Sequence, residues 1–109
     1  LNPRLGLRAS YGRVLAATYF TRLLTLAVEP HSPLPALHEL LDRALDFLGS
    51  HDPSRAMLER FELRVAEDLG LIGEKGAPGS EAARILEDHL HKRLPAQRAQ
   101  VLAWCADHP

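Results

Sequence analysis

Glu59-Arg60-Phe61-Glu62-Leu63-Arg64-Val65-Ala66-Glu67-Asp68-Leu69-Gly70 reads as one amphipathic helix with its stop signal attached. Leu58, Phe61, Val65 and Leu69 recur at spacings of three and four, which lines them along one face of a 3.6-residue period. Glu62 falls inside that stripe, at a core spacing. A carboxylate there needs a partner or must stay at the rim, because burying it unpaired costs several kcal/mol. Gly70 supplies the residue without a Cβ that helices favour just past their end.

Outward from this stretch, the same punctuation repeats. Upstream, Asp52-Pro53 marks a helix start, so a third helix spans about Pro53 to Leu69. Before it, Leu37, Leu41, Ala44, Leu45 and Leu48 share one side of a second helix from about Pro33 to Leu48, with Gly49 expected as its left-handed terminal residue. The short connection makes helices two and three an antiparallel hairpin. A first helix, from about Leu7 to Val28, carries Tyr11, Leu15, Tyr19, Leu23 and Leu26, widened by Val14, Ala17, Phe20 and Leu24, and can lie across that hairpin. It ends at Glu29-Pro30-His31-Ser32-Pro33, where proline disfavours helix in the residue before it.

Downstream, Gly73 to Gly79 holds three glycines and a proline and is expected to be a flexible loop without the strand and Gly-Lys-Ser/Thr of a phosphate-binding loop. Ser80-Glu81 is expected to cap a fourth helix with Ala82, Ile85, Leu86, His89 and Leu90 inward, and Leu94-Pro95 to begin a fifth bearing Val101, Leu102 and Cys105. The expected fold is all-α: a single helical domain over 1–109 of about five helices, its first 72 residues a three-helix core. A length of 109 residues, 46% of them hydrophobic and 25% charged, suits one such core, and the 6% aromatic content leaves leucine, alanine and valine to build it.

One cysteine, Cys105, excludes an internal disulfide and a cysteine-based zinc site, so a reducing cytoplasm is the expected compartment. No run approaches the roughly 18 apolar residues of a membrane span. A chain that starts at Leu1 rather than methionine reads as a fragment or a processed product.

Net charge is -1, yet from Leu1 to Val28 there are four arginines and no acid. Arg4, Arg8 and Arg13 are therefore the candidates for contact with phosphates or with an acidic partner, and Arg22, inside the first helix's stripe, is the expected partner of Glu62. Trp104 stands one position off the fifth helix's stripe, where it either docks on its own core or marks an interface. No metal site is expected: His89 and His91 lie about 200° apart on a helix, and the pairs His38/Asp42 and Glu87/His91 offer two ligands only. The serines fall near helix starts and Cys105 on an apolar side, so no catalytic residue and no cofactor are expected.

Taken together, Tyr19-Phe20-Thr21-Arg22-Leu23-Leu24, the spacer Glu29 to Leu34, the helix Leu37 to Leu48, Asp52-Pro53, and Arg60-Phe61-Glu62-Leu63-Arg64 running to Leu69-Gly70-Leu71 resemble the helical domain of the bacterial DNA repair protein RecO. In that family a Tyr-Leu-x-Glu-Leu helix precedes a hairpin whose second arm carries Arg-Phe-Glu-Leu and ends in Leu-Gly. The resemblance covers about Arg8 to Leu71. Three departures stand out. The residues from Leu1 onward include no counterpart of the family's N-terminal OB-fold, the cysteine zinc motif of many members is replaced by Gly73 to Gly79, and Arg22 stands where the family usually has an acid.

The resemblance implies a non-enzymatic recombination mediator that binds single-stranded DNA, the single-strand-binding protein SSB and RecR, and helps RecA load and strands anneal. SSB ends in an acidic, aromatic tail, which an apolar groove rimmed by arginines would suit. No small-molecule substrate and no membrane partner are expected. The competing expectation is a helical adaptor or homo-oligomerisation domain of a cytoplasmic protein, without direct contact to DNA.

Overall fold

The computed structural model describes residues 10–27, 35–73 and 76–108. Five α-helices follow in order, α1 (Tyr11–Ala27), α2 (Pro35–Leu48), α3 (Arg55–Asp68), α4 (Ala82–Leu90) and α5 (Gln97–Asp107), with a 3-10 turn at Gly79–Glu81 leading into α4. There is no strand among the described residues, so the fold is all-α. Helix α1 lies at the centre and packs against α2, α3 and α5, while α4 packs against α3.

Local chemistry accounts for the boundaries. Ser10 precedes α1 and its Oγ accepts from the Arg13 amide at 3.2 Å, satisfying one orphan donor of the first turn. Along α1 the buried set Gly12, Leu15, Ala16, Tyr19, Phe20, Leu23, Leu24 and Ala27 keeps the helical period. On the other side Thr18, Thr21 and Thr25 donate their hydroxyls to the carbonyls of Val14, Ala17 and Thr21.

Helix α3 starts two residues later than its Asp52-Pro53 signal. Ser54, in extended backbone, is the cap, and its side chain accepts from the Met57 amide. At the other end the Leu71 amide donates to Ala66 O at 3.0 Å and the Gly70 amide to Glu67 O at 2.9 Å. That pair of bonds is the Schellman closure, and Gly70, at φ 76°, supplies the left-handed residue it requires.

Gly49 does not behave as Gly70 does. It is absent from the positive-φ residues and donates instead to Leu45 O and Asp46 O, after which the amides of Ser50 and His51 both reach Phe47 O. Helix α2 thus ends by further tight turns, because the next segment must swing back to place Asp52 and Ser54. Ser80 likewise gives no side-chain cap to α4: the chain enters through a 3-10 turn whose own backbone bonds take that role. His89, expected inward, is exposed, whereas Ala82 and Leu86 are buried against α3.

The core is built on aromatic and leucine side chains from every helix. Phe20 of α1 and Phe61 of α3 stack with ring centroids 4.0 Å apart. Around them Leu23, Leu37, Leu48, Leu58, Val65, Leu86 and Val101 are fully enclosed. The residues expected for the flexible Gly73 to Gly79 loop fall partly outside the described ones; its last residue, Gly79, sits against Glu59 of α3.

Candidate partner groove and the centre that supports it

Of the two places open to an acid in the apolar stripe, core or rim, Glu62 takes the core: it is fully buried, in the middle of α3. Its partners come from both ends of the chain. The Tyr19 hydroxyl of α1 donates to Glu62 Oε2 at 2.5 Å, and Arg98 of α5 donates from Nε to Oε2 at 2.6 Å and from a terminal nitrogen to Oε1 at 3.2 Å. This is the two-pronged match of guanidinium to carboxylate, which spends both oxygens. Burial first, and the Glu62 carboxylate second, push the Tyr19 hydroxyl far above its ordinary range, so it remains a donor. The Glu62 hydrogen bond raises Arg98 further still.

The expected Arg22–Glu62 pair does not form. Arg22 is exposed on α1 and lines a surface depression with Thr25, Leu26 and Pro95, while Tyr19, three residues earlier, is the α1 side chain directed at Glu62. The two side chains leave the helix about 60° apart, and at the position α1 takes in the bundle that leaves Tyr19 buried and Arg22 exposed. Arg98 carried a legible signal: it stands three residues before Val101 and seven before Cys105, on the inner stripe of α5.

A second polar tie joins the start of α1 to the α2–α3 connection. Ser10 Oγ and Arg13 Nε both donate to Asp52 Oδ1, each at 2.9 Å. The Ser10 bond first, and the Arg13 bond second, hold the Asp52 carboxyl below its ordinary range. A depressed folded-state pKa gives stability that is present above the unfolded value, near pH 4, and lost as pH falls through the lower folded value. The thermal midpoints of the native protein and Asp52→Asn should therefore differ at pH 6 and converge once the pH has fallen below the lowered folded-state value of Asp52. A difference that persists there would show that the carboxylate's charge is not what holds this tie.

Arg13, one of the three candidate phosphate contacts, is thus engaged at Asp52 with its side chain 15% exposed. Arg4 and Arg8 lie outside the described residues. Trp104 is partly buried and packs on the core. Its indole covers Gly12 on α1, and it stacks with His108 at a centroid distance of 4.1 Å, the two rings nearly parallel at 9°. Cys105 faces Pro53, whose carbonyl accepts from the thiol at 3.5 Å, and burial pushes that thiol up.

The surface that pairs apolar floor with charge lies between the hairpin helices. Leu40 and Ala44 of α2 face Met57 and Phe61 of α3 across a groove of about 350 Å³, and Arg43, Arg60 and Arg64 stand around it. All three arginines are exposed, and none is held in an ion pair among the described residues. Arg60 and Arg64 are one turn apart on α3, and Phe61 between them has its inner face against Phe20. Such a groove can accept an apolar or aromatic side chain while its rim meets carboxylates. Sequence reasoning placed cations of this kind on the first helix; the i, i+4 pair Arg60 and Arg64 was visible, but the facing Leu40, Arg43 and Ala44 come from another helix.

Two further facts bear on function. Among the described residues no group of three or more His, Cys, Asp or Glu is placed to hold a metal ion, and no helix is long and apolar enough to cross a membrane. Searches of curated proteins and of solved structures return no match. A family model for the C-terminal region of recombination protein O matches residues 8–72, more than half of the chain, and spans the α1–α3 core with the Glu62 helix: the chain belongs to the RecO C-terminal family.

Proposed function

We propose that this chain is the partner-binding module of a RecO-like recombination mediator in DNA repair, and that its α2–α3 groove seats the acidic, aromatic tail of SSB. The observation that carries the reading is the apolar floor of Leu40, Ala44, Met57 and Phe61 ringed by Arg43, Arg60 and Arg64. An aromatic side chain fills such a floor, and neighbouring carboxylates meet guanidinium groups in charge-assisted hydrogen bonds. In this reading the module is non-catalytic, works in the cytoplasm, and acts through contacts with SSB, RecR and single-stranded DNA that bring RecA to gaps. Family membership supports that role in DNA repair.

A fluorescein-labelled acidic peptide ending in phenylalanine tests the groove by anisotropy. The double variant Arg60→Glu, Arg64→Glu is expected to bind at least about tenfold more weakly, a loss of about 1.4 kcal/mol, while its unfolding midpoint stays close to that of the native protein, since both side chains are exposed. Undiminished binding in that variant would remove the groove as the site. A second reading, an adaptor or oligomerisation module, is favoured by one observation: α1 leaves Tyr11, Val14 and Leu26 exposed. Sedimentation across a range of protein concentrations separates the two, because self-association through α1 raises the mass without any peptide.

A further inference from the structure

Helix α4 closes on His91, which adopts φ 54°, left-handed backbone that residues other than glycine rarely take. The turn that follows is held by Glu87, whose Oε2 accepts from the Leu94 amide at 3.1 Å. Within five residues this presents His89, His91, Lys92 and Arg93, all exposed. The acids of the same helix are spent elsewhere: Glu87 on that amide, and Asp88 on Arg84 at 3.8 Å. Lys92 and Arg93 take part in no ion pair among the described residues.

We propose that this α4–α5 turn is a contact for single-stranded nucleic acid, with Lys92 and Arg93 meeting successive phosphates and the His89 and His91 rings offering faces to unpaired bases. The inference rests on the nucleic-acid part of the proposed function and adds a site for it. Cations alone would suit any polyanion; flat rings on the same exposed turn favour a chain whose bases are unpaired and free to stack. An acidic peptide is better served by the α2–α3 groove, where an apolar floor accompanies the charge. The left-handed backbone at His91 matters because it turns the chain out of the helix, so that His91, Lys92 and Arg93 all face solvent.

The test is anisotropy of a fluorescein-labelled oligothymidine of about 30 nucleotides between roughly 50 and 200 mM salt. Each neutralised phosphate of a single strand adds about 0.7 to the slope of log affinity against log salt, so Lys92→Gln with Arg93→Gln should lower that slope by about 1.4. Across the fourfold range the native protein should then lose about sevenfold more affinity than the double variant. Arg84→Gln removes a cation already facing Glu81 and Asp88 and should leave the slope unchanged. His91→Asn tolerates the left-handed backbone and removes the ring, so binding should weaken equally at every salt concentration. Native-like binding with an unchanged slope in the Lys92, Arg93 variant overturns this site alone. Absence of binding by the native protein overturns the site together with the nucleic-acid part of the proposed function, and leaves the peptide groove standing on its own assay.

Discussion

Glu62→Ala is expected to cost about 3–5 kcal/mol, the loss typical of removing one partner from a buried ion pair. The substitution does three things at once. It strands the Arg98 guanidinium, whose side chain is only 24% exposed, leaves the Tyr19 hydroxyl without its acceptor, and opens a void between α1, α3 and α5. Set against a total stability of about 5–15 kcal/mol for a domain, this removes from about a fifth to all of it. Urea titration reads the loss, and the thermal midpoint should fall by at least about 12 °C. Glu62→Gln keeps an acceptor for Tyr19 and should lie between the two. Arg22→Ala, at an exposed site, should change stability by less than about 0.5 kcal/mol and add independently to Glu62→Ala, whereas Arg98→Ala should show strong coupling to it. A loss below about 1 kcal/mol for Glu62→Ala would mean that the carboxylate is accommodated in some other way.

Gly12→Ala is expected to reverse the usual sign of a glycine-to-alanine change inside a helix. At an open helical position alanine gains about 1 kcal/mol over glycine. At Gly12 a Cβ would run into the indole of Trp104, and three ring atoms meet it well inside contact distance. A swing of Trp104 away from Gly12 would break its stack with the ring of His108 and disturb its packing on the core. Overpacking of this kind costs about 1–3 kcal/mol, so the net effect is a destabilisation of up to about 2 kcal/mol, read by urea titration. The decisive comparison is the same substitution in a Trp104→Ala background. With the ring gone, Gly12→Ala should become stabilising, and a substitution that stays destabilising there would place the strain elsewhere.

What could be read from the chain, and what could not, divides along one physical line. The helices, the place of Glu62 in an apolar stripe and the closure at Gly70 follow from periodicity and local backbone chemistry, which act over three to five residues. The partner of Glu62 does not. Arg22 and Tyr19 both lie on α1, three residues apart, and only the packing angle between α1 and α3 decides which of them meets the acid. Arg98 lies 36 residues beyond Glu62 and enters through α5, whose docking no local pattern dictates. The groove was legible in its chemistry but not in its place. Its floor is assembled from two helices whose facing residues are set by the hairpin's register. Gly49 shows the reverse case: a residue suited to left-handed closure is passed over, because a different route out of the helix better places Asp52 for Ser10 and Arg13.

The reach of the Glu62 centre has a consequence for how the protein is made. The family match ends at residue 72, so the shared three-helix region contains the buried acid but not the cation that answers it. On a ribosome adding about 5–20 residues per second, Arg98 follows Glu62 after about 2–7 s. Through that interval the nascent hairpin holds a carboxylate with a tyrosine for company and no counter-charge, and cannot close fully around it. Completion of the native core therefore waits for the last helix, and a chain cut short after α3 should behave as an open intermediate rather than as a smaller finished domain.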